Sequence, residues 1–207
     1  MERLYKGIRK FQQSHFKKEE EFFRRLSKRQ TPEVLFITCA DARVDPNLVT
    51  QSRPGELFII RNVGNIIPPY DAIKDKNSVA AGLEFAVLEL EVADIIVCGH
   101  SNCGAMQVLY KDAKELDNMP HLREWLRIAL PVRELVDSYY SHETPERRGR
   151  ITEQENVLEQ LRNIQTYPFV EAALKTGALY LHGWYYDIGT GDICSYNPAN
   201  DTFERIS

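Results

Sequence analysis

The stretch Ile95-Ile96-Val97-Cys98-Gly99-His100-Ser101-Asn102-Cys103-Gly104 decides the fold. An apolar run that ends in a polar loop indicates a strand buried on both faces. The runs Val34–Thr38 and Leu57–Ile60 have the same form. Between the second and third runs, Asn77 offers a helix cap and the segment Val79–Leu90 has helical spacing. Strand, helix and strand in this order predict a parallel sheet with crossover helices.

The remainder of the chain extends this α/β pattern. From the patterns we predict a helix over Pro120–Tyr140 split near Pro131, a charged linker over 142–149, a helix from a capping signal at Thr152–Glu155 to Ile164, a strand over 178–187, and a last strand over 193–196. The expected fold is therefore a single α/β domain, residues 31–207. It has a mostly parallel sheet, flanking helices and a C-terminal antiparallel strand.

Residues 1–30 are rich in charge, with Leu4, Ile8 and Phe11 among the apolar residues that form a partial helical stripe. We expect an N-terminal helical arm that makes a dimer contact. A surface helix loosely docked on its own subunit agrees equally well with the pattern.

Composition excludes several classes of protein. The chain has 207 residues, with 26 Lys+Arg against 30 Asp+Glu, and a net charge of -4 argues against a dedicated nucleic-acid binder. Its longest apolar runs are far shorter than the ~20 residues of a membrane span. The charged first thirty residues lack an apolar signal core, so we expect a cytoplasmic protein. In that reducing compartment its four cysteines are expected to serve as metal ligands, nucleophiles or core residues.

Two of the predicted loops carry residues suited to a metal site. Cys39 follows the first strand, and His100 and Cys103 follow the third. Two sulfurs and an imidazole suit zinc, and three protein ligands with an open position are typical of catalytic zinc. Asp41 is close enough to accept a hydrogen bond from a zinc hydroxide or to become the fourth ligand. Arg43 would hold that carboxylate away from the metal in a bidentate pair.

A plainer interpretation stays equally open from the residues alone. A cysteine at a strand end is usually a small core residue, and Asp41 with Arg43 would then be a surface ion pair of little energetic weight. Cys98 and Cys194 lie within apolar strand patterns, and we assign both to the core.

The motifs resemble those of the β-class carbonic anhydrases. Cys39–Val44 resembles the C-x-D-x-R signature of that family, and Gly99–Gly104 resembles its G-H-x-x-C-G signature. The resemblance covers essentially residues 1–200, and it continues through Pro54–Phe58, Arg61–Asn65 and Leu181–Tyr185. The runs Asp45–Leu48 and Asn65–Tyr70 are most similar to cyanobacterial members, including those packaged in carboxysomes.

This resemblance implies an activity and a set of site residues. It implies that Cys39, His100 and Cys103 bind one Zn²⁺ per chain, and that Asp41 and Arg43 form the catalytic dyad. Asp41 would be a fourth ligand in a closed state. Zinc hydroxide would attack carbon dioxide and give bicarbonate and a proton, reversibly. The implied substrate-binding residues are Phe58, Val63, Phe85, Gly104 and, contributed by a partner subunit, Gln30.

The resemblance also implies partners and a setting. We expect a homodimer or a higher assembly of dimers, in the cytoplasm or inside a carboxysome with a shell or scaffold protein, supplying inorganic carbon for photosynthetic fixation. No nucleic acid or membrane span is expected. Two alternatives are a zinc hydrolase of a related small molecule such as carbon disulfide, and a catalytically silent zinc scaffold, against which the intact dyad argues.

Four positions depart from patterns within the family. Phe85 stands where plant-type members often have tyrosine, and Ala42 replaces a frequent serine. Phe36 and Thr38 replace the tryptophan and glycine of a bicarbonate-inhibited subgroup, which argues against that noncatalytic bicarbonate site.

Overall fold

The computed structural model of the chain describes residues 1–73 and 76–206. Over these residues one sheet contains six strands in the order β2-β1-β3-β4-β5-β6. The strands are β1 (Val34–Cys39), β2 (Leu57–Asn62), β3 (Asp94–His100), β4 (Tyr180–Tyr186), β5 (Ile193–Asn197) and β6 (Thr202–Arg205). Strands β1 to β4 are parallel, and β5 and β6 are antiparallel to their neighbours. The predicted α/β fold with a mostly parallel sheet is confirmed.

The C-terminal antiparallel part is a pair of strands, whereas the sequence predicted one. Strand β6 is short, and Glu204 and Arg205 are exposed. Such a polar edge strand has none of the apolar alternation by which strands are recognised. Ser207, the last residue of the predicted domain, lies outside the described residues.

Helices cover the sheet and extend the N-terminus. They are α1 (Glu2–Lys10), α2 (Phe16–Lys18), α3 (Glu20–Leu26), α4 (Pro46–Thr50), α5 (Ser78–Glu84), α6 (Gly104–Val108), α7 (Pro120–Leu126), α8 (Leu130–Tyr139), α9 (Pro145–Gln165) and α10 (Pro168–Thr176). A π-helical turn, Phe11–His15, joins α1 to α2, and another, Phe85–Glu89, continues α5. The predicted split of the Pro120–Tyr140 segment is found, as a 3-10 turn at Arg127–Ala129.

The predicted start of α9 was wrong. The helix begins at Pro145, inside the predicted linker 142–149 and seven residues before the predicted cap Thr152. Its cap is Thr144, whose hydroxyl oxygen accepts a hydrogen bond from the Arg147 amide at 3.3 Å. Thr152 instead lies inside the helix, where its hydroxyl donates to the Arg148 carbonyl at 2.8 Å. A threonine followed by glutamates imitates a capping signal, because such residues are also tolerated within a helix.

The core lies on both faces of the parallel strands. On one face, Leu35, Ile37 and Val97 are fully buried with residues of α5, α9 and α10. On the other face, Phe36 and Ile96 form a second cluster. Strands β1 and β3 are therefore buried on both sides, as their unbroken apolar sequences predict.

The N-terminal arm is held to the body near its end. Arg53 pairs with Glu19 and lies over the Phe22 ring, 3.9 Å from its centroid. Leu26 packs on Gly55. Apolar side chains nearer the N-terminus are exposed: Leu4, Tyr5, Ile8, Phe11 and Phe16. Within the described part of the chain, no helix is both long and apolar enough to cross a membrane.

Candidate metal centre

Three potential metal ligands converge at the carboxyl ends of β1 and β3. Cys39 ends β1, His100 ends β3, and Cys103 directly precedes α6. Because β1 and β3 are parallel neighbours, their loops leave the sheet at the same edge. One ligand atom from each residue lies within 4.8 Å of the other two, and the two sulfurs are 4.0 Å apart. All three residues are buried, so the cluster is a compact N/S site of the type that suits zinc.

The imidazole of His100 is oriented for metal binding. Its Nδ1 lies 3.0 Å from the Ser101 carbonyl oxygen, which only accepts hydrogen bonds, so Nδ1 carries the proton. Nε2 is then unprotonated. It is buried and has no hydrogen-bond partner among the described residues. A buried lone pair beside two sulfurs fits a metal ion, because an unsatisfied buried polar atom is otherwise costly.

The two thiols also fit a cation. The hydrogen bond with Cys103 lowers the pKa of Cys39, and the same contact raises the pKa of Cys103. Without a cation, the first thiolate therefore suppresses ionisation of the second. A divalent ion would remove that conflict by neutralising both sulfurs, which must be thiolates to bind metal.

Asp41 and Arg43 form a bidentate pair beside the cluster. Arg43 donates from Nε to Asp41 Oδ1 at 2.9 Å and from Nη2 to Oδ2 at 2.7 Å. These bonds hold the pKa of Asp41 well below its usual range. Asp41 Oδ2 lies 3.9 Å from His100 Nε2, so the carboxylate stands next to the potential ligands while Arg43 holds it. Arg43 also donates to the Asn102 carbonyl at 2.9 Å and so joins the two loops.

Two residues that support these loops were missed by sequence reasoning. Arg61 donates to the carbonyls of Cys39, at 3.3 Å, and Asp41, at 2.7 Å. Glu153 accepts hydrogen bonds from the Cys103 amide at 2.9 Å and from the Tyr185 hydroxyl at 2.8 Å. Burial raises the pKa of Glu153, and these two hydrogen bonds oppose the rise. Arg61 lies in the segment Arg61–Asn65, which resembles the family, and this was the one signal for it. Glu153 gives no such signal, because a glutamate in a polar helix is expected to be exposed.

The predicted substrate-binding residues lie partly together. Phe58 and Phe85 are in contact, with ring centroids 5.8 Å apart. Phe85 and Val63 are 43% and 44% exposed in the single chain. Gly104 begins α6, and a Cβ there would meet open space. Gln30 is exposed in the segment between α3 and β1. Their role in substrate binding stays a prediction.

The two remaining cysteines lie outside the cluster. Cys98 is buried within β3, and burial raises its pKa to about 12, which keeps the thiol neutral. Cys194 is half-buried in β5, opposite Tyr185. The assignment to the core therefore describes Cys98 better than Cys194.

Comparison with known proteins agrees with the site. A family model described as carbonic anhydrase matches residues 34–193. The carbonic anhydrase of Synechocystis sp. is 45% identical over 203 residues, which cover 98% of this chain and 73% of that protein. Those of Synechococcus elongatus and Pseudomonas aeruginosa are 43% and 42% identical, over 98% and 100% of this chain and 74% and 92% of theirs.

Solved structures show the same fold. The structure of the β-carbonic anhydrase CcaA matches with a TM-score of 0.96 at 44% identity, over 100% of this chain and 99% of that one. The tetrameric β-carbonic anhydrases of Sordaria macrospora match with a TM-score of 0.76 at 29% identity, over 94% and 92% of the two chains. Fold, signature motifs and similarity over nearly the whole length agree. The chain belongs to the β class of carbonic anhydrases, and its predicted zinc cofactor is confirmed.

Proposed function

We propose that this enzyme hydrates carbon dioxide reversibly at a zinc ion held by Cys39, His100 and Cys103, with Asp41 and Arg43 as the catalytic dyad. The observation that carries the proposal is the buried, unpartnered Nε2 of His100, close to two sulfurs and to an arginine-held carboxylate. Zinc bound there would supply Lewis acidity, which makes water a nucleophile near neutral pH.

The ligand set favours an open coordination position. Cys39, His100 and Cys103 supply three donors, and Arg43 occupies both oxygens of the nearby carboxylate. Two thiolates neutralise the charge of zinc, so this ion would acidify water less than one held by three histidines. The surrounding hydrogen bonds therefore have a larger share in the activity.

Asp41 is placed to orient the nucleophile. The Arg43 pair keeps the pKa of Asp41 low, so the carboxylate stays ionised at neutral pH. An ionised carboxylate only accepts hydrogen bonds. Asp41 thus fixes the hydrogen of an approaching water and leaves the oxygen lone pair directed at the carbon of the substrate. Arg43 holds the carboxylate in that position through its bond to the Asn102 carbonyl.

An apolar pocket suits a small, neutral substrate. Phe58, Phe85 and Val63 offer apolar surface, and a neutral molecule loses little hydration on entering it. In one chain Phe85 and Val63 are exposed, which favours a second subunit that completes the pocket. Gln30 is proposed to be the residue that the partner subunit contributes, and Gly104 leaves space beside the site.

A homodimer is the smallest assembly that we propose. The exposed apolar residues of the N-terminal arm need a partner surface, and in the sheet of the described residues β2 is an edge strand, which has a neighbouring strand on one side only. Tetramers among the solved relatives support further assembly of dimers.

Stopped-flow hydration assays with metal analysis test the activity. Cys39→Ala should lose zinc and activity together, whereas Cys98→Ala removes an equally buried thiol outside the cluster and should retain both. Asp41→Asn should keep zinc and lose most of the hydration rate. Full zinc retention by Cys39→Ala would contradict the ligand assignment, and normal turnover by Asp41→Asn would contradict the dyad. Carbon disulfide, assayed in parallel, tests the alternative hydrolase.

The physiological part of the proposal is the supply of inorganic carbon for photosynthetic fixation inside a carboxysome. Its support is the similarity to carbonic anhydrases of two cyanobacteria. A relative from Pseudomonas aeruginosa is nearly as similar, so the assignment needs its own test. Tagged chain expressed in its native cell should co-sediment with carboxysome shell proteins, and a uniform cytoplasmic distribution would refute this setting.

A further inference from the structure

The backbone amide of Gly64 donates to a sulfur of the metal cluster. The amide of Gly64 lies 3.4 Å from Cys39 Sγ. Gly64 has a φ of 82°, and a Cβ there would lie 3.0 Å from Ala105 Cβ and 3.2 Å from Met106 Cε. Glycine is therefore required both by the backbone conformation and by the close approach of α6.

Two side chains from distant elements hold this turn. Trp125, in α7, donates from Nε1 to the Val63 carbonyl at 2.8 Å. Asn156, in α9, donates from Nδ2 to the Gly64 carbonyl at 2.9 Å. The two carbonyls belong to successive peptides, so both planes of the turn are fixed.

The Trp125 contact acts on the same peptide that donates to sulfur. The Val63 carbonyl and the Gly64 amide form one planar unit, in which the C=O and N–H groups point in opposite directions. Fixing the carbonyl therefore directs the N–H at Cys39 Sγ. A hydrogen bond accepted by the carbonyl also polarises the peptide and strengthens its N–H as a donor.

We propose that Trp125 and Asn156 are positioning residues for the Cys39 thiolate. They hold the Gly64 N–H on the sulfur, where the hydrogen bond withdraws electron density and reduces donation to the metal. This inference rests on the proposed role of Cys39 as a ligand. On this proposal Trp125 and Asn156 influence how strongly the Cys39 thiolate donates electrons to the metal, an effect that packing alone does not provide.

The chain offers a matched control for Trp125. Its second tryptophan, Trp184, packs edge-on against Phe36 with ring centroids 6.0 Å apart. Replacing either tryptophan by phenylalanine keeps an aromatic ring and removes an indole N–H. Only the N–H of Trp125 is bonded to the turn beside the cluster.

The test uses the full chain with zinc exchanged for cobalt(II). The near-ultraviolet absorption band that reports thiolate-to-cobalt charge transfer moves to lower energy when a thiolate loses a hydrogen bond. We expect this shift in Trp125→Phe and an unchanged band in Trp184→Phe. Hydration by the zinc form of Trp125→Phe should fall about 10-fold. An unchanged band in Trp125→Phe, or equal shifts in both variants, would overturn the proposal.

A second pair of variants covers a Trp125→Phe protein that fails to fold. Asn163 is buried on the same helix as Asn156 and donates to the Ile67 carbonyl of the same segment, also at 2.9 Å. The band should move in Asn156→Ala and stay in place in Asn163→Ala, and equal bands would reject the assignment.

The unsubstituted protein separates the two levels of inference. If its cobalt form shows no thiolate charge transfer, the proposed ligand set fails. If it shows the band but the variants do not move it, only the positioning role fails.

Discussion

Gly99→Ala is expected to destabilise the protein through a single contact between β3 and α9. A Cβ at position 99 would lie 2.6 Å from Val157 Cγ2 and 3.3 Å from the Glu153 carbonyl oxygen. The first distance is about 1 Å shorter than an ordinary contact between carbon atoms. Val157 is fully buried and, as a β-branched residue in a helix, has essentially one rotamer, so it cannot turn away.

The magnitude follows from overpacking. Gly99→Ala should lower the free energy of unfolding by about 2 kcal/mol, within the range for extra methyl groups in a packed core. Val157→Ala removes two buried carbons and should cost roughly 2 kcal/mol. In the double variant the added methyl occupies the vacated space. The double variant should therefore lose about 2 kcal/mol of the free energy of unfolding, rather than the roughly 4 kcal/mol expected if the two changes acted independently.

Urea unfolding of the zinc-loaded protein at one fixed protein concentration measures these losses. Gly149→Ala is the matched control. Gly149 lies in α9, the helix that also contains Val157, and a Cβ at position 149 would meet nothing within 4 Å. It should stabilise the protein by about 0.5–1 kcal/mol through helix propensity. If the losses of the two single variants, Gly99→Ala and Val157→Ala, sum to the loss of the double variant within about 0.5 kcal/mol, the proposed clash is refuted.

Three further predictions concern other parts of the molecule. Tyr167→Phe should lower the free energy of unfolding, measured in urea, by about 1–2 kcal/mol, because the Pro68 carbonyl loses its 2.8 Å hydrogen bond from the Tyr167 hydroxyl. Phe169→Leu, a change in a ring that packs on Tyr167, controls for packing. An unchanged stability of Tyr167→Phe would contradict the role of the hydroxyl. Burial raises the pKa of Glu153 in the folded protein above its value in the unfolded chain. The protonated form of Glu153 therefore contributes stability below the unfolded-state pKa, and this stability is lost as pH rises through the folded-state pKa. Glu153→Gln should therefore gain stability relative to the parent as pH rises from 4, and a pH-independent difference in urea titrations would be evidence against this. Deletion of residues 1–30 should shift the assembly toward monomer in sedimentation experiments, and an unchanged, active dimer would show that the arm is dispensable.

The sheet and the clustering of Cys39, His100 and Cys103 were predictable because their signals are local. Strands β1 and β3 are unbroken apolar runs, and the three residues follow them at fixed short spacings, so topology alone places Cys39 beside His100. The bidentate Asp41–Arg43 pair also needs only two residues of separation.

The support behind the site was not predictable, because it depends on contacts between residues far apart in sequence. Glu153, Asn156, Gln160 and Asn163 are polar residues on the buried face of α9. They satisfy backbone groups of other segments, such as the Ile67 amide, which donates to Gln160 at 2.7 Å. A hydropathy pattern assigns such a face to solvent.

Strands β1 and β3 bring together two sulfurs that are 64 positions apart along the chain. Closing a loop of that length costs an unfolded chain about 4 kcal/mol of conformational entropy. The folded sheet has already closed it, which for the proposed ligands corresponds to roughly a thousandfold gain in zinc affinity over the same residues on an unfolded chain. By thermodynamic linkage, zinc bound there would return that free energy to the sheet. The metal would thus cross-link two strands, and a chelator would weaken the fold as well as the chemistry.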